Sequence, residues 1–320
     1  MEYANLGNTD IRVSKLCVGC MSFGKPSEDF HQWTLEKDDT EKMVKKALDL
    51  GFNFFDTANV YSHGTSEEYL GAAIKKLVPR ERVVLATKVY FNEGNLKKEA
   101  IEREIDGSLK RLGTDYVDLY IIHRFDYNTP MEETMEALDR LVKSGKVRAI
   151  GASAMYAYQF HNLQIVAEKN GWTKFVSMQN HYNLLYREDE REMIPLCRQM
   201  GVSLTPYSPL AAGRVTRTEW HSDSMRSQTD RTATGKYDST EEQDQRIAAR
   251  VKELADQYQV KMAQIALAWL WKKGVTSPII GATKESYFED AVGAFDICLS
   301  DEDAAYLEEL YLPHKIVGAL

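Results

Sequence analysis

The sequence predicts an α/β fold, a (β/α)8 TIM barrel with an N-terminal β-hairpin and long βα loops, built by residues 1–320 as a single domain. Three observations predict it. Short runs that are apolar throughout alternate with longer amphipathic segments from about residue 40 to residue 300. Such runs suit parallel strands buried on both faces, and eight of them spread over some 250 residues match a closed barrel. The first strand lacks the Gly-x-Gly-x-x-Gly turn of a dinucleotide-binding unit, which weakens the competing architecture, a doubly wound sheet.

Residues 3–15 (YANLGNTDIRVSK) hold the turn signal Gly7-Asn8-Thr9-Asp10 between short extended runs and read as a hairpin capping the barrel. The expected strands are Leu16–Gly19, Phe52–Asp56, Val83–Lys88 and Val117–His123, then Val147–Ala152, Phe175–Gln179, Val202–Tyr207 and Pro278–Gly281. Between them, Thr40–Leu50 places Met43, Val44, Ala47 and Leu48 at helical spacing and stops at Gly51. Residues 97–112 put Ile101, Ile105, Leu109 and Leu112 on one face, with Gly113 behind them. Met131–Ser144, 159–170 and 189–200 repeat that pattern, each followed by glycine, and 241–258 and 261–273 are the last long helices.

Composition excludes several classes. Lys plus Arg total 40 against 48 Asp plus Glu, and the net charge of −8 is wrong for a default nucleic-acid binder. Hydrophobic residues at 43% are enough for a sizeable core, so disorder is not the reading. No apolar run approaches the roughly 20 residues of a membrane span, and the N-terminus has no basic-then-apolar leader. The 4 cysteines are too sparse for a disulfide framework. The expectation is a cytoplasmic protein with no membrane and no nucleic-acid partner, either monomer or homo-oligomer.

Two motifs mislead. Gly19-Cys20-Met21-Ser22-Phe23-Gly24-Lys25 has the spacing of a phosphate-binding P-loop, but Pro26 stands where a hydroxyl is required. Cys17-Val18-Gly19-Cys20 is a Cys-x-x-Cys at the end of a strand with no second pair, which reads as two packed thiols.

Catalytic groups of a barrel come from the C-terminal ends of its strands. Here the second strand ends in Asp56 with Tyr61 in the following loop, the third in Lys88 and the fourth in His123. Taken singly each has an ordinary reading: a helix cap for Asp56, a half-buried loop ring for Tyr61, a structural role for His123. Lys88 is harder to dismiss, since an unpaired buried ammonium is costly. Together they make chemical sense. Lys88⁺ is expected to favour the phenolate of Tyr61 and pull its pKa below the usual value of about 10. Asp56 holds that lysine charged and His123 adds a hydrogen-bond donor, so the tyrosine is poised to protonate a carbonyl oxygen as hydride arrives. One Asp and one His are too few to hold a metal.

Phe55-Asp56-Thr57-Ala58-Asn59-Val60-Tyr61, Ala86-Thr87-Lys88 and Tyr120-Ile121-Ile122-His123 resemble segments of the aldo-keto reductase family. So do Gly145–Ser153 (GKVRAIGAS) and Pro206-Tyr207-Ser208-Pro209-Leu210, and the resemblance runs from about Leu6 to the end. Gly151–Phe160 (GASAMYAYQF) and Pro313-His314-Lys315 resemble the microbial branch of YajO-like and aryl-alcohol-dehydrogenase-like reductases.

The resemblance implies NADPH-dependent, reversible reduction of aldehydes or ketones by a tetrad of Asp56, Tyr61, Lys88 and His123, with Tyr61 as general acid. It implies that Ser153 and Gln179 bond the nicotinamide carboxamide and that Tyr207 stacks on the ring. Ser208 and Leu210 are then expected at the pyrophosphate, and Gly281, Thr283 and Lys284 near the adenosine 2′-phosphate, where the lysine favours NADP over NAD. Cys20, Met21, Asp56, Pro209, Ala211, Gly213, Arg217, Tyr287 and Asp290 complete the expected cofactor contacts. Two departures stand out: Ala154 follows Ser153 where the family often has Asn, and Asp290-Ala291 replaces Glu-Asn.

Ala211–Thr240 is poor in apolar residues, and reads as a solvated loop or as a lid over the cofactor. Trp33, Phe91, Phe125, Tyr156 and Trp220 are the candidate walls of a pocket for a small carbonyl substrate. Two rival functions remain from the sequence: an NADPH-binding sensor or regulatory subunit with weak turnover, and a barrel lyase or isomerase using Lys88 as a Schiff-base nucleophile.

Overall fold

In the computed structural model, which describes residues 1–220 and 229–318, the chain starts with an antiparallel hairpin. Its strands are β1 (Tyr3–Asn5) and β2 (Arg12–Ser14). Eight parallel strands follow: β3 (Cys17–Gly19), β4 (Phe54–Asp56), β5 (Val84–Val89), β6 (Val117–Ile122), β7 (Val147–Ser153), β8 (Phe175–Gln179), β9 (Ser203–Leu204) and β10 (Ile279–Ile280). Their ladder runs β10-β3-β4-β5-β6-β7-β8-β9. Across the remaining gap, the Ser277 amide donates to the Leu204 carbonyl (3.2 Å) and the Ile279 amide to that of Pro206 (3.0 Å). The sheet thereby closes into the expected (β/α)8 barrel.

Alternation explains why the strands read as apolar throughout. Phe54, Val84, Ala86, Leu119, Ile121 and Ala149 pack inside the barrel, while Phe55, Leu85, Tyr120, Ile122 and Ile150 join the layer beneath the helices. The hairpin supplies Leu6, Ile11 and Val13 to the inner cluster and so plugs the N-terminal end. A register shift between β7 and β8 leaves Val176 as an extra residue opposite the Ile150–Gly151 step. The shift brings Ser177 against Gly151, where a Cβ would lie only 2.4 Å from the serine oxygen.

Helices fill the crossovers. Lys98–Leu112 buries Ile101, Ile105, Leu109 and Leu112, the face its spacing predicted, and ends at Gly113 with φ 65°. Thr65–Leu77 lies close against the end of that helix, because Gly71 carries no Cβ. The sequence reading passed over Thr65–Leu77, Arg231–Tyr237, Glu285–Val292 and Asp301–Glu308.

Several boundaries move for physical reasons. Phe52 donates its amide to Ala47 and caps the helix Lys37–Asp49, and the Asn53 side chain ties to the hairpin, so β4 starts only at Phe54. The expected strand Val202–Tyr207 is regular only at Ser203–Leu204, although the Thr205 and Tyr207 amides still bond to the Met178 and Asn180 carbonyls (both 2.9 Å) on either side of Pro206. Within Ala211–Thr240, residues 221–228 lie outside the described part. The rest is less loop-like than a solvated segment: Ala211–Gly213 and Asp238–Thr240 are 3-10 turns around the helix Arg231–Tyr237. Trp220 and Tyr237 are buried, anchoring the segment to the barrel. Cys17 and Cys20 are free, and burial pushes both thiols well above the usual range, which makes them inert packing groups.

Candidate active site

The same alternation that fills the barrel interior decides what stands at its open end. Inward positions along β4 run Phe54, Asp56, those of β5 run Val84, Ala86, Lys88, and β6 leads through Leu119 and Ile121 to His123. Ser153 and Gln179 are register partners at the ends of β7 and β8. Five polar side chains therefore crown a largely apolar barrel interior.

Lys88 is fully buried, and each of its three N–H donors has an acceptor. Its ammonium bonds Asp56 Oδ1 at 2.5 Å, the Thr57 carbonyl at 2.7 Å and the Tyr61 hydroxyl at 3.2 Å. The other carboxylate oxygen of Asp56 accepts from Gln179 Nε2 at 2.8 Å, and Ser153 Oγ bonds the Gln179 carbonyl at 2.8 Å. Burial works against the ammonium, but Asp56 and then Tyr61 outweigh it and raise its pKa above the ordinary value. A lysine so charged and so fully bonded has no lone pair for a Schiff base, which removes the lyase reading.

Tyr61 begins a 3-10 turn in which Ser62 (φ 44°) and His63 (φ 55°) take left-handed conformations. Such backbone strain persists where packing fixes it, and here it aims the half-buried ring over Lys88, whose ammonium lies 4.7 Å from the ring centre. The expected acidification does not occur. Burial pushes the phenol pKa up by more than the Lys88 charge pulls it down. The phenol thus keeps its proton beside the Lys88 ammonium.

His123 meets Tyr61 and Phe91 edge-on, with ring centroids 6.0 and 5.0 Å apart. Burial, aided by Lys88 and Arg124, depresses its pKa well below the usual value, so the ring is neutral. Its Nδ1 is buried with no partner among the described residues.

These residues form the floor of a cleft of about 1150 Å³. Pockets for one drug-sized ligand hold about 300–1000 Å³, so this one has room for two reactants. Most of the expected cofactor residues line it: Met21, Asp56, Ser153, Gln179, Tyr207, Ser208, Pro209, Leu210, Gly213, Arg217, Gly281, Thr283, Lys284, Tyr287 and Asp290. Cys20 and Ala211 do not; both are fully buried behind it. Of the expected substrate walls, Trp33, Phe91 and Trp220 face the cleft. Phe125 packs on Tyr127 and Tyr156 stacks on Tyr158, both outside the lining. The indole N–H of Trp220 is spent on the carbonyls of Arg214 (2.9 Å) and Arg217 (3.2 Å).

The sequence reading missed Phe30, His31, Arg124 and Tyr237, which also line the cleft. Arg124 had a signal, since it directly follows His123 at a strand end. The others sit on connections whose direction no periodicity reveals. Among the described residues no group of three or more His, Cys, Asp or Glu could hold a metal ion, and no helix is long and apolar enough to cross a membrane.

A barrel with an Asp–Lys–Tyr–His constellation at the C-terminal ends of its strands defines a class, and comparison with known proteins gives the same one. The aldo/keto reductase family model matches residues 15–312, and the chain belongs to that family. Among curated relatives, it is 42% identical over 341 residues to versiconal hemiacetal acetate reductase of Aspergillus parasiticus, covering 99% of this chain and 98% of that one. A Schizosaccharomyces pombe protein named as an aryl-alcohol dehydrogenase, C977.14c, is 44% identical over 349 residues, again with 99% and 98% coverage. Aldo-keto reductase dtxS3 of Metarhizium robertsii is 40% identical over 347 residues, with 99% and 93% coverage. The chain is thus an oxidoreductase of the aldo-keto reductase family, which acts on small carbonyl compounds with nicotinamide cofactors, and it is similar to fungal aryl-alcohol-dehydrogenase-like members.

Proposed function

We propose that the chain works as one catalytic unit that reduces aldehydes or ketones to alcohols, reversibly, with NADPH as the reductant and Tyr61 as the general acid. The observation that carries this reading is the Lys88 ammonium, 3.2 Å from the Tyr61 hydroxyl and paired with Asp56 at the floor of the cleft.

The residues present fit a nicotinamide dinucleotide. Tyr207 presents a flat ring, parallel to His181 within 9°, with a buried hydroxyl that lacks a partner among the described residues. Such a ring would support a nicotinamide by stacking, while Ser153 and Gln179 would bond its carboxamide. Lys284 is exposed at the start of the helix Glu285–Val292, and a lysine with free helix amides would hold a phosphate there. That phosphate is the basis for preferring NADPH to NADH. Bound NADPH supplies the hydride.

The chain's own groups manage the proton. Neutral His123 orients the carbonyl oxygen toward Tyr61, and the Tyr61 hydroxyl gives that oxygen its proton. Lys88 stabilises the phenolate left behind, and Asp56 with Gln179 keeps the ammonium in place. In the reverse direction the phenolate takes the proton back from an alcohol.

Replacing Tyr61 by Phe tests this reading. Single-turnover reduction of an aromatic aldehyde is expected to fall by about 10²–10⁴-fold, while NADPH binding followed by its fluorescence stays unchanged. A Tyr61→Phe enzyme that reduces the aldehyde at the wild-type rate would overturn the assignment.

A further inference from the structure

The floor of the cleft holds more positive charge than proton transfer uses. Arg124 follows His123 and lines the cleft beside Phe91, with its guanidinium 5.6 Å from that ring's centre. Its hydrogen bond goes to the carbonyl of His123 at 2.8 Å, and among the described residues no carboxylate pairs with it. Its charge reaches Tyr61, His123, Tyr207 and Lys236, which places it within the ring of reacting groups.

Lys236 lines the same cleft from the helix Arg231–Tyr237, near enough for the two charges to act on each other. Its ammonium stands 4.5 Å from the centre of the Tyr207 ring, with no carboxylate in ion-pair contact among the described residues. Asp230 is the carboxylate whose charge favours it, and that attraction is too weak to compensate. Burial, with the Arg124 charge, pushes Lys236 down to about 8. Two like charges held together without a counter-ion cost free energy unless an anion joins them. Elsewhere the fold pairs such cations: buried Lys88 has Asp56, and half-buried Arg111 has Glu67.

We propose that Arg124 and Lys236 form a carboxylate seat beside Tyr61 and His123, so that the carbonyl substrates this enzyme prefers carry a carboxylate. The inference rests on the reductase reading above and deepens it. A guanidinium fork matches the two oxygens of a carboxylate, and the contact is charge-assisted on both sides. Phe91, against the guanidinium, gives an apolar wall for whatever links carbonyl to carboxylate. Other cleft cations stand elsewhere: Arg214 stacks on Trp220 and Tyr237 (5.0 and 5.3 Å), and Lys284 lies beside Tyr287 (5.9 Å). These leave the dinucleotide phosphates with their own partners.

The test compares 4-carboxybenzaldehyde with its neutral methyl ester, methyl 4-formylbenzoate, using NADPH and the full-length enzyme. The wild type is expected to favour the acid by tenfold or more in kcat/KM, mainly through KM. Arg124→Gln is expected to bring the acid-to-ester ratio down towards one, Lys236→Gln to lower it several-fold, and Arg124→Lys to keep part of it. Equal use of the two aldehydes by the wild type would overturn the seat while leaving the reductase reading intact. A ratio unchanged in Arg124→Gln would also overturn it, and a weakened Kd for NADPH alongside would reassign the cation to the cofactor. Failure to reduce either aldehyde would remove both readings together.

Discussion

Replacing Lys88 by Met removes the charge on which the proposed chemistry turns. At 3.2 Å from the Tyr61 oxygen, an ammonium attracts a full phenolate by about 5 kcal/mol at an effective dielectric constant of about 20. A transition state with half of that charge developed loses about 2.5 kcal/mol, which is nearly a hundredfold in rate. The substitution also strands Asp56, which is buried, and an unpaired buried charge costs about 3–5 kcal/mol of stability. A damaged fold could then imitate a damaged mechanism. The companion Lys88→Met/Asp56→Asn removes both charges together and is expected to recover most of the stability while the rate stays low. Stopped-flow single turnovers, read by the absorbance of the reduced nicotinamide, measure the chemical step apart from product release. A folded double variant that reduces a neutral aldehyde within about threefold of the wild-type rate would refute the electrostatic account.

The remaining predictions concern pH and packing. Because burial raises the Tyr61 pKa, its proton is lost only as pH climbs through that raised value; reduction of a neutral aldehyde should be flat through neutral pH and be lost only above the ordinary tyrosine value of about 10. Oxidation of the alcohol needs the phenolate and should rise over the same range. His123 is already uncharged through neutral pH, so a reduction rate that halves between about pH 6 and about pH 7 would contradict its assignment. In the packing test, a Cβ on Gly71 would stand 2.3 Å from the Leu112 carbonyl oxygen. Gly71→Ala should cost about 1–3 kcal/mol by overpacking two helices, seen as a lower urea midpoint, and an unchanged midpoint would deny that close approach.

What the sequence revealed and what it hid divide along a physical line. Residues on the inner row of a strand were legible, because alternation carries the side-chain direction from the core to the open end: Phe54 leads to Asp56, Ala86 to Lys88, Ile121 to His123. Side chains on connections have no such carrier. Phe125 and Tyr156 looked like pocket walls and turned to other partners, while Phe30 and His31 reached the cleft unannounced. The ends of the short strands were hidden for a related reason. Ser203–Leu204 and Ile279–Ile280 are held by neighbouring strands, and little in their own two residues marks where pairing stops.

The Tyr61 expectation failed differently, since the residues were right and the balance of forces was wrong. Counting charges gave an acidified phenol; the structure adds the cost of removing a phenolate from water, and that cost is the larger. The result suits a general acid better than the expectation did. A tyrosine already ionised by its lysine would have no proton to give, whereas in the proposed reaction this one keeps its proton until an oxygen that is becoming an alkoxide, and so more basic than phenolate, draws it off. Lys88 then acts on the product of the transfer, the anion 3.2 Å away. Asp56, with its second oxygen held by Gln179, keeps that ammonium from drifting toward the negative charge it stabilises. The ion pair therefore sets the position of the charge, and burial sets when the proton leaves.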